Sequence, residues 1–167
     1  MILTWLEIKK ERKNWNILIS PFFENQINPN SYNYRLWKFL KIFSSFDWDK
    51  PIFREIEIPK EWFLLKKWFM YLGSTSELIW SKKYMTSLIW KSSLWRLWLF
   101  LQLSANVWHT GTFHNWTLEI YPTKDIILYP NMIIGQVTFW ENSWEFDLYN
   151  WNYKNYNKPQ ESLIINN

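Results

Sequence analysis

Cysteine is absent from this chain of 167 residues. Its absence excludes disulfides, thiolate catalysis and every zinc site ligated by cysteine. Histidine is nearly absent: His109 and His114 are the only two, too few to build a metal cluster. Glycine occurs 3 times, where ordinary usage of ~7% gives about 12. Long apolar runs are missing as well. The run LWLFL at 97–101 is far below the ~20 residues of a membrane-spanning helix. The opening MILTWLEIKKERK is apolar too briefly for a secretory signal and then turns charged. The expected compartment is the cytoplasm, with neither membrane nor nucleic acid as partner. The length suits one domain, 1–167, with a real core. Hydrophobic residues at 48% and charged residues at 20% argue against disorder. A net charge of +4 suits a phosphate-bearing ligand without requiring one. The residue in excess is tryptophan, which occurs 15 times.

Thr4 followed by Glu7 reads as a capping box that opens a short helix reaching Lys13. Beyond it, β-forming residues alternate or cluster at 16–20, 33–43, 52–58, 69–75, 85–90, 99–104, 116–121, 125–129 and 133–140. Turn residues separate these runs by roughly 8–12 positions, the spacing of an all-β barrel or sandwich. The stretch from Tyr149 is polar and aromatic and reads as a C-terminal arm over 149–167.

The densest polar group is W-K-S-S-L-W-R at 90–96. Two hydroxyls and two cations lie close together there. If the segment makes one helical turn, Ser92 and Arg96 share a face at i, i+4, and such a turn can cradle phosphate. The plain alternative is a capped surface helix. The second feature is Glu119 in WTLEIY at 116–121. On a strand, Trp116, Leu118 and Ile120 point one way, and Thr117, Glu119 and Tyr121 the other. Glu119 is then either a solvent-facing carboxylate or a general base at a pocket wall.

Together these features resemble the dCTP deaminase family, whose core motif G-R-S-S-L-G-R precedes a T-L-E strand. Here Glu119 follows Arg96 by 23 residues. The likeness runs through MILT and ISPF, I27-N-P-N-S-Y-N-Y-R-L36, F69-M-Y-L-G-S-T-S-E77, L128-Y-P-N-M-I-I-G-Q136, and the tail from Tyr149 to Ser162. The resemblance implies the dUTPase-like distorted β-barrel with a short N-terminal helix and a flexible C-terminal arm. It also implies a homotrimer with active sites between subunits. The implied reaction is hydrolysis of dCTP to dUTP and ammonia, supplying dUTP for dTMP synthesis, with no zinc and with Mg²⁺ entering on the triphosphate.

The resemblance assigns Glu119 as general base, Ser92 and the Ala105 carbonyl as positioning the water, and Arg96 as stabilising charge. Lys91 and Ser93 fall to the phosphates, with Leu94 and Trp95 beside them. His109, Thr117, Leu118, Gln136, Tyr149, Asn152, Tyr153 and Tyr156 are the remaining nucleotide contacts, and the arm closes over the nucleotide. Lys91 replaces an arginine of the pattern. His109 stands where the related dUTPases and bifunctional members carry aspartate, which speaks against dUTP cleavage here. Asn152 and Tyr156 replace the tail lysine and glutamine. Other readings stay open: a dUTP diphosphatase or bifunctional enzyme, a Trp-rich β-sandwich that binds carbohydrate, and a non-catalytic relative.

Trp37, Trp62, Trp68, Trp90, Trp95, Trp98, Trp108 and Trp151 stand where the family pattern has glycine, and Trp15, Trp48, Trp80 and Trp144 lie in turn-like contexts. The expectation is a gene in which UGA specifies glycine, translated here as tryptophan. Trp116 suits its strand; Trp5 and Trp140 are undecided.

Overall fold

The computed structural model of the protein describes residues 1–101, 106–150 and 157–162. Helix α1 (Trp5–Lys13) opens the chain. Thr4 takes the N-cap position without a side-chain capping bond, and Glu7 pairs with Lys10 at 3.0 Å, so the expected capping box is not formed. The helix ends in a Schellman turn: Asn16 N–H donates to the Glu11 carbonyl at 2.9 Å and Trp15 N–H to the Arg12 carbonyl at 3.1 Å.

The strands follow as β1 (Ile17–Ser20), β2 (Ile27–Asn28), β3 (Ser31–Arg35), β4 (Phe39–Asp47), β5 (Lys50–Glu57), β6 (Phe63–Leu65), β7 (Tyr71–Ser81) and β8 (Tyr84–Trp90). A one-turn helix α2 (Ser92–Trp95) separates them from β9 (Leu99–Leu101), β10 (Val107–Trp108), β11 (Phe113–Pro122), β12 (Ile126–Leu128) and β13 (Ile133–Glu141). One sheet runs β5-β4-β7-β11-β9, with β1 also on β7; a second runs β10-β8-β13-β3-β2; β12 and β6 form a small third. The fold is mostly β, as expected. The run at 33–43 divides into β3 and β4, because the chain leaves one large sheet for the other. Leu36 N–H bonds the Met132 carbonyl at 2.9 Å and Trp37 N–H the Ser74 carbonyl at 2.8 Å at that crossing. Both sheets feed one core, with Leu40, Leu118 and Ile120 from the first and Tyr32, Tyr34, Leu88, Val137 and Phe139 from the second. Among the described residues no helix is long and apolar enough to cross a membrane.

The pairing of β7 with β11 carries an irregularity. Between Asn115 and Thr117 the partner shifts from Leu78 to Ser74, so β7 spends two more residues than β11. Side chains stitch this bulge. Thr75 Oγ1 accepts from Trp116 N–H at 2.9 Å and donates to the Glu77 carbonyl at 2.7 Å. The Asn115 amide donates to the Thr75 carbonyl at 3.0 Å. Trp116 is fully buried, and its indole N–H reaches the Ile79 carbonyl at 2.9 Å. Glu77, also fully buried, accepts from the Arg35 side chain at 2.7 Å and backbone N–H at 2.8 Å, which satisfies a charge that is costly to bury alone.

Among the described residues, five non-glycine positions have positive φ, and four are tryptophans: Trp15 (57°), Trp48 (56°), Trp68 (68°) and Trp98 (67°). Each occupies a place that glycine serves. Trp15 is the residue after the helix C-cap. Trp48 is the first loop residue of the β4–β5 hairpin, the glycine position of a type II′ turn. Trp68 and Trp98 sit in tight turns before β7 and β9. Trp80 differs from expectation: it lies inside β7 opposite Leu18 and Phe113. Trp90 and Trp108 are also on strands. A non-glycine residue in this region costs ~1–3 kcal/mol. Trp15→Gly, Trp48→Gly, Trp68→Gly and Trp98→Gly should therefore each raise Tm, and the four codons should read UGA. UGG codons together with lowered Tm in the four variants would remove the glycine assignment.

Candidate active site

Strand β11 sets the site by alternation. His114, Trp116, Leu118 and Ile120 turn into the core, while Thr117 and Glu119 face the other way. Glu119 and Thr117 thereby line a cavity of about 910 Å³. Its aromatic lining includes Phe43, Phe46 and Phe53 of the β4–β5 hairpin with Trp68 and Phe69. Its polar lining includes Glu119, Thr117, His109, Tyr149, Gln160 and Glu161.

The loop between β10 and β11 presents His109. Its carbonyl accepts from Thr112 Oγ1 at 2.6 Å. Gly111 (φ +96°) turns the chain there, and its N–H bonds the Ser81 carbonyl at 2.8 Å. A Cβ at Gly111 would press on Leu148 at 3.1 Å, so glycine lets the chain before the arm pack against this turn. Tyr149 N–H donates to the Thr110 carbonyl at 2.8 Å, and the Tyr149 ring stacks on His109 at 5.4 Å and 8°. Farther along the arm, Gln160 N–H bonds Thr117 Oγ1 at 3.1 Å. Glu161 pairs with Lys41 at 2.7 Å and Lys158 with Glu55 at 3.5 Å. Residues 157–162 thus lie across strands of their own chain at the cavity edge.

The other expected site residues fall elsewhere. Ser92 and Arg96 do share one helical turn, with Arg96 N–H on the Ser92 carbonyl at 3.1 Å. Yet Lys91, Ser92, Ser93, Leu94, Trp95 and Arg96 do not line the Glu119 cavity within the chain. Leu94 is buried in the core, and Trp95 meets Phe100 edge-on at 5.9 Å. Leu118 is fully buried on the core face, so alternation denies its side chain a place in the cavity. Gln136 sits in the other large sheet and donates to Asn33 Oδ1 at 3.2 Å. Ala105, Asn152, Tyr153 and Tyr156 lie outside the described residues. The sequence reading missed Gln160, Glu161 and Ser162 at the cavity, although the P-Q-E-S string of the tail marked them. It also missed the hairpin aromatics, whose run reads as ordinary strand.

The family model described as dCTP deaminase-like matches residues 2–142. The chain belongs to the dCTP deaminase-like family. A "dCTP deaminase, dUMP-forming" of Clostridium botulinum (strain Alaska E43 / Type E3) is 40% identical over 98% of this chain and 96% of its own length. One of Hathewaya histolytica, with the same name, is 38% identical over 99% and 98%. A "dCTP deaminase" of Rhodopirellula baltica is 33% identical over 98% and 84%. The crystal structure of 2′-deoxycytidine 5′-triphosphate deaminase from Agrobacterium tumefaciens superposes with a TM-score of 0.67 at 20% identity. It is matched over 83% of this dCTP deaminase-like chain, which spans about half (47%) of that structure. This likeness fixes the fold. The names of the first two relatives attach dUMP to those enzymes, where the family resemblance implied dUTP.

His114, almost fully buried, also borders the cavity. Burial holds its imidazole below the usual histidine range, against the pull of the Asn115 carbonyl on Nδ1 at 2.9 Å. The unfolded chain binds this proton more readily, so stability is retained above the ordinary imidazole pKa of ~6.5 and declines as pH drops below it. His114→Gln should flatten that decline in urea midpoints measured from pH 7 downward. An unchanged slope would assign the decline to another group.

Proposed function

We propose that this chain carries dCTP through two hydrolyses to dUMP. The first is deamination: the chain is a dCTP deaminase, a hydrolase of the bond between C4 and its amine. Glu119 takes a proton from water as the water oxygen attacks C4, then passes it to the departing amine, releasing ammonia. The observation that carries this reading is Glu119 in the lining of a cavity whose other lining residues include aromatic side chains fit to stack on a nucleobase. The second hydrolysis cleaves the triphosphate and releases pyrophosphate. Its support is the dUMP-forming name shared by relatives that are 38–40% identical over nearly the whole chain. The sequence expectation of dUTP as end product is given up on that account. Mg²⁺ arrives on the triphosphate as part of the substrate.

Glu119→Gln should lower ammonia release from dCTP by at least ~10²–10⁴-fold while dCTP still binds. The amide keeps the shape but cannot accept the water proton. Release close to the parent rate would remove Glu119 as base.

Ser92, Arg96 and Lys91 do not line this cavity, and Leu97 beside them is 56% exposed. A second copy of the chain, docked so that its α2 closes the cavity, supplies the missing hydroxyl and cations. The assembly we infer is the homotrimer. Ser92 with the Ala105 carbonyl then orders the water, and Arg96 balances charge. Co-expressed Glu119→Gln and Arg96→Ala subunits should regain activity that neither variant has alone, because some interfaces of a mixed assembly carry no lesion. A mixture as inactive as its parents would place the whole site within one chain.

A further inference from the structure

We infer that Gln160 reads the base at the carbon where Glu119 acts, taking cytosine and rejecting uracil. The inference rests on the reading that dCTP is deaminated beside Glu119, and adds what recognises the base there. Strand register places the residue. Glu119 on β11 pairs with Leu72 on β7, and Leu72 pairs with Lys41 on β4. Residues paired directly across strands point to the same side of a sheet. Lys41, Leu72 and Glu119 therefore form one row on the cavity face. Thr117 stands on that face too, ~6.6 Å along β11 from Glu119. The arm is tied at both ends of this span. Gln160 N–H donates to Thr117 Oγ1 at 3.1 Å, and the next residue, Glu161, holds Lys41 Nζ at 2.7 Å. Pro159 before them is buried. Residues 160 and 161 thus cross from β11 towards β4 beside Glu119, and Gln160 lines the cavity with it.

The carboxamide of Gln160 has a set orientation. Its Nε2 donates to the Glu161 carbonyl at 3.3 Å. A carbonyl oxygen only accepts, so the nitrogen end of the amide faces it. That bond uses one of the two Nε2 hydrogens. The other hydrogen and Oε1 form an edge with one donor and one acceptor in fixed order. Cytosine and uracil differ at C4 and at the adjoining N3. Cytosine carries an amine donor at C4 and a bare N3; uracil carries a carbonyl at C4 and an N–H at N3. The Gln160 edge matches cytosine: Oε1 accepts from the 4-amine and Nε2 donates to N3. The same kind of edge reads the amine and neighbouring ring nitrogen of adenine in DNA.

On uracil both contacts oppose, with Oε1 against O4 and the Nε2 hydrogen against N3–H. Turning the amide over would restore them, but it would set Oε1 against the Glu161 carbonyl. The other polar lining groups lack this fixed order. A hydroxyl rotates and a neutral imidazole changes tautomer, so Thr117, Tyr149 and His109 suit either base. The Glu161 carboxylate is held by Lys41. Deamination therefore reverses the pattern that Gln160 meets, and the contact that held cytosine repels the uracil left behind.

The test measures equilibrium binding of dCTP and dUTP analogues in which an imido group replaces the α,β-bridging oxygen, so that the triphosphate stays whole. The full chain carries Glu119→Gln, which stops deamination. This protein should bind the cytosine nucleotide ~5–150-fold more tightly than the uracil one, the range of one bidentate contact. Adding Gln160→Met keeps the side-chain length and removes both ends of the edge. The preference should then collapse, chiefly through lost cytosine affinity. Adding Lys41→Met instead loosens the arm without touching the edge, and should weaken both nucleotides while a preference remains. A preference that survives Gln160→Met overturns the assignment, because a residue that merely seats the arm would weaken both nucleotides alike. Absence of any preference before Gln160 is changed overturns it as well. Ammonia released from the cytosine nucleotide by the Glu119→Gln protein overturns instead the reading of Glu119 as base, on which the assignment stands.

Discussion

The two-residue bulge of β7 against β11 is the constraint from which the site follows. Thr75, Ser76 and Glu77 pass opposite Trp116 alone, and the ladder survives because Thr75 Oγ1 and the Asn115 amide take over its lost bonds. Bulges re-aim strands beside functional sites. This one inserts two residues rather than one, so the alternation of faces is preserved across it. Thr117 and Glu119 keep the cavity face while Trp116 and Leu118 keep the core. The same segment sends Glu77 into the interior, where Arg35 and Gln26 receive it, tying β7 to the end of β3 and to the turn before β2. Fold and site therefore share one stretch of backbone.

The cavity is assembled from parts of unlike chemistry. Strand β11 gives carboxylate and hydroxyl, the β4–β5 hairpin gives an apolar wall, and the arm returns to seat Gln160 on Thr117. Ion pairs from Lys41 and Lys158 hold the arm against the hairpin strands. Such pairs are individually modest. Their effect here is positional, since they keep residues 157–162 beside Thr117 and Glu119 at the cavity.

Much of this was legible beforehand. Strand positions followed from the run of β-branched and aromatic residues, and the orientation of Glu119 followed from its parity with Trp116. Leu118, placed with Thr117 and Glu119 among the nucleotide contacts by the resemblance, lies on the opposite face, because successive residues of a strand cannot share one. The break at 36–38 was illegible because the apolar pattern runs on through it while the chain changes sheets. Trp80 looked like a turn residue beside Ser81 and Lys82, but pairing with β1 extends β7 past it. His109 stands where the resemblance expects a carboxylate, which speaks against phosphate chemistry on residue type alone. The loop geometry shows an imidazole held in the cavity all the same.

The sequence by itself determined the strand faces, the one-turn helix that joins Ser92 to Arg96, and the anomaly of tryptophans at glycine places. Those are local matters, governed by period, capping and the allowed range of φ. Tertiary structure decided which of the chemistry-bearing groups meet. It brought Glu119, His109, Tyr149 and the P-Q-E-S segment to one cavity and kept α2 and Gln136 out of it. That choice depends on how two sheets pack and where the arm returns. Contacts between residues 41 and 161, or 117 and 160, are set by long-range closure of the chain, for which local spacing carries no signal.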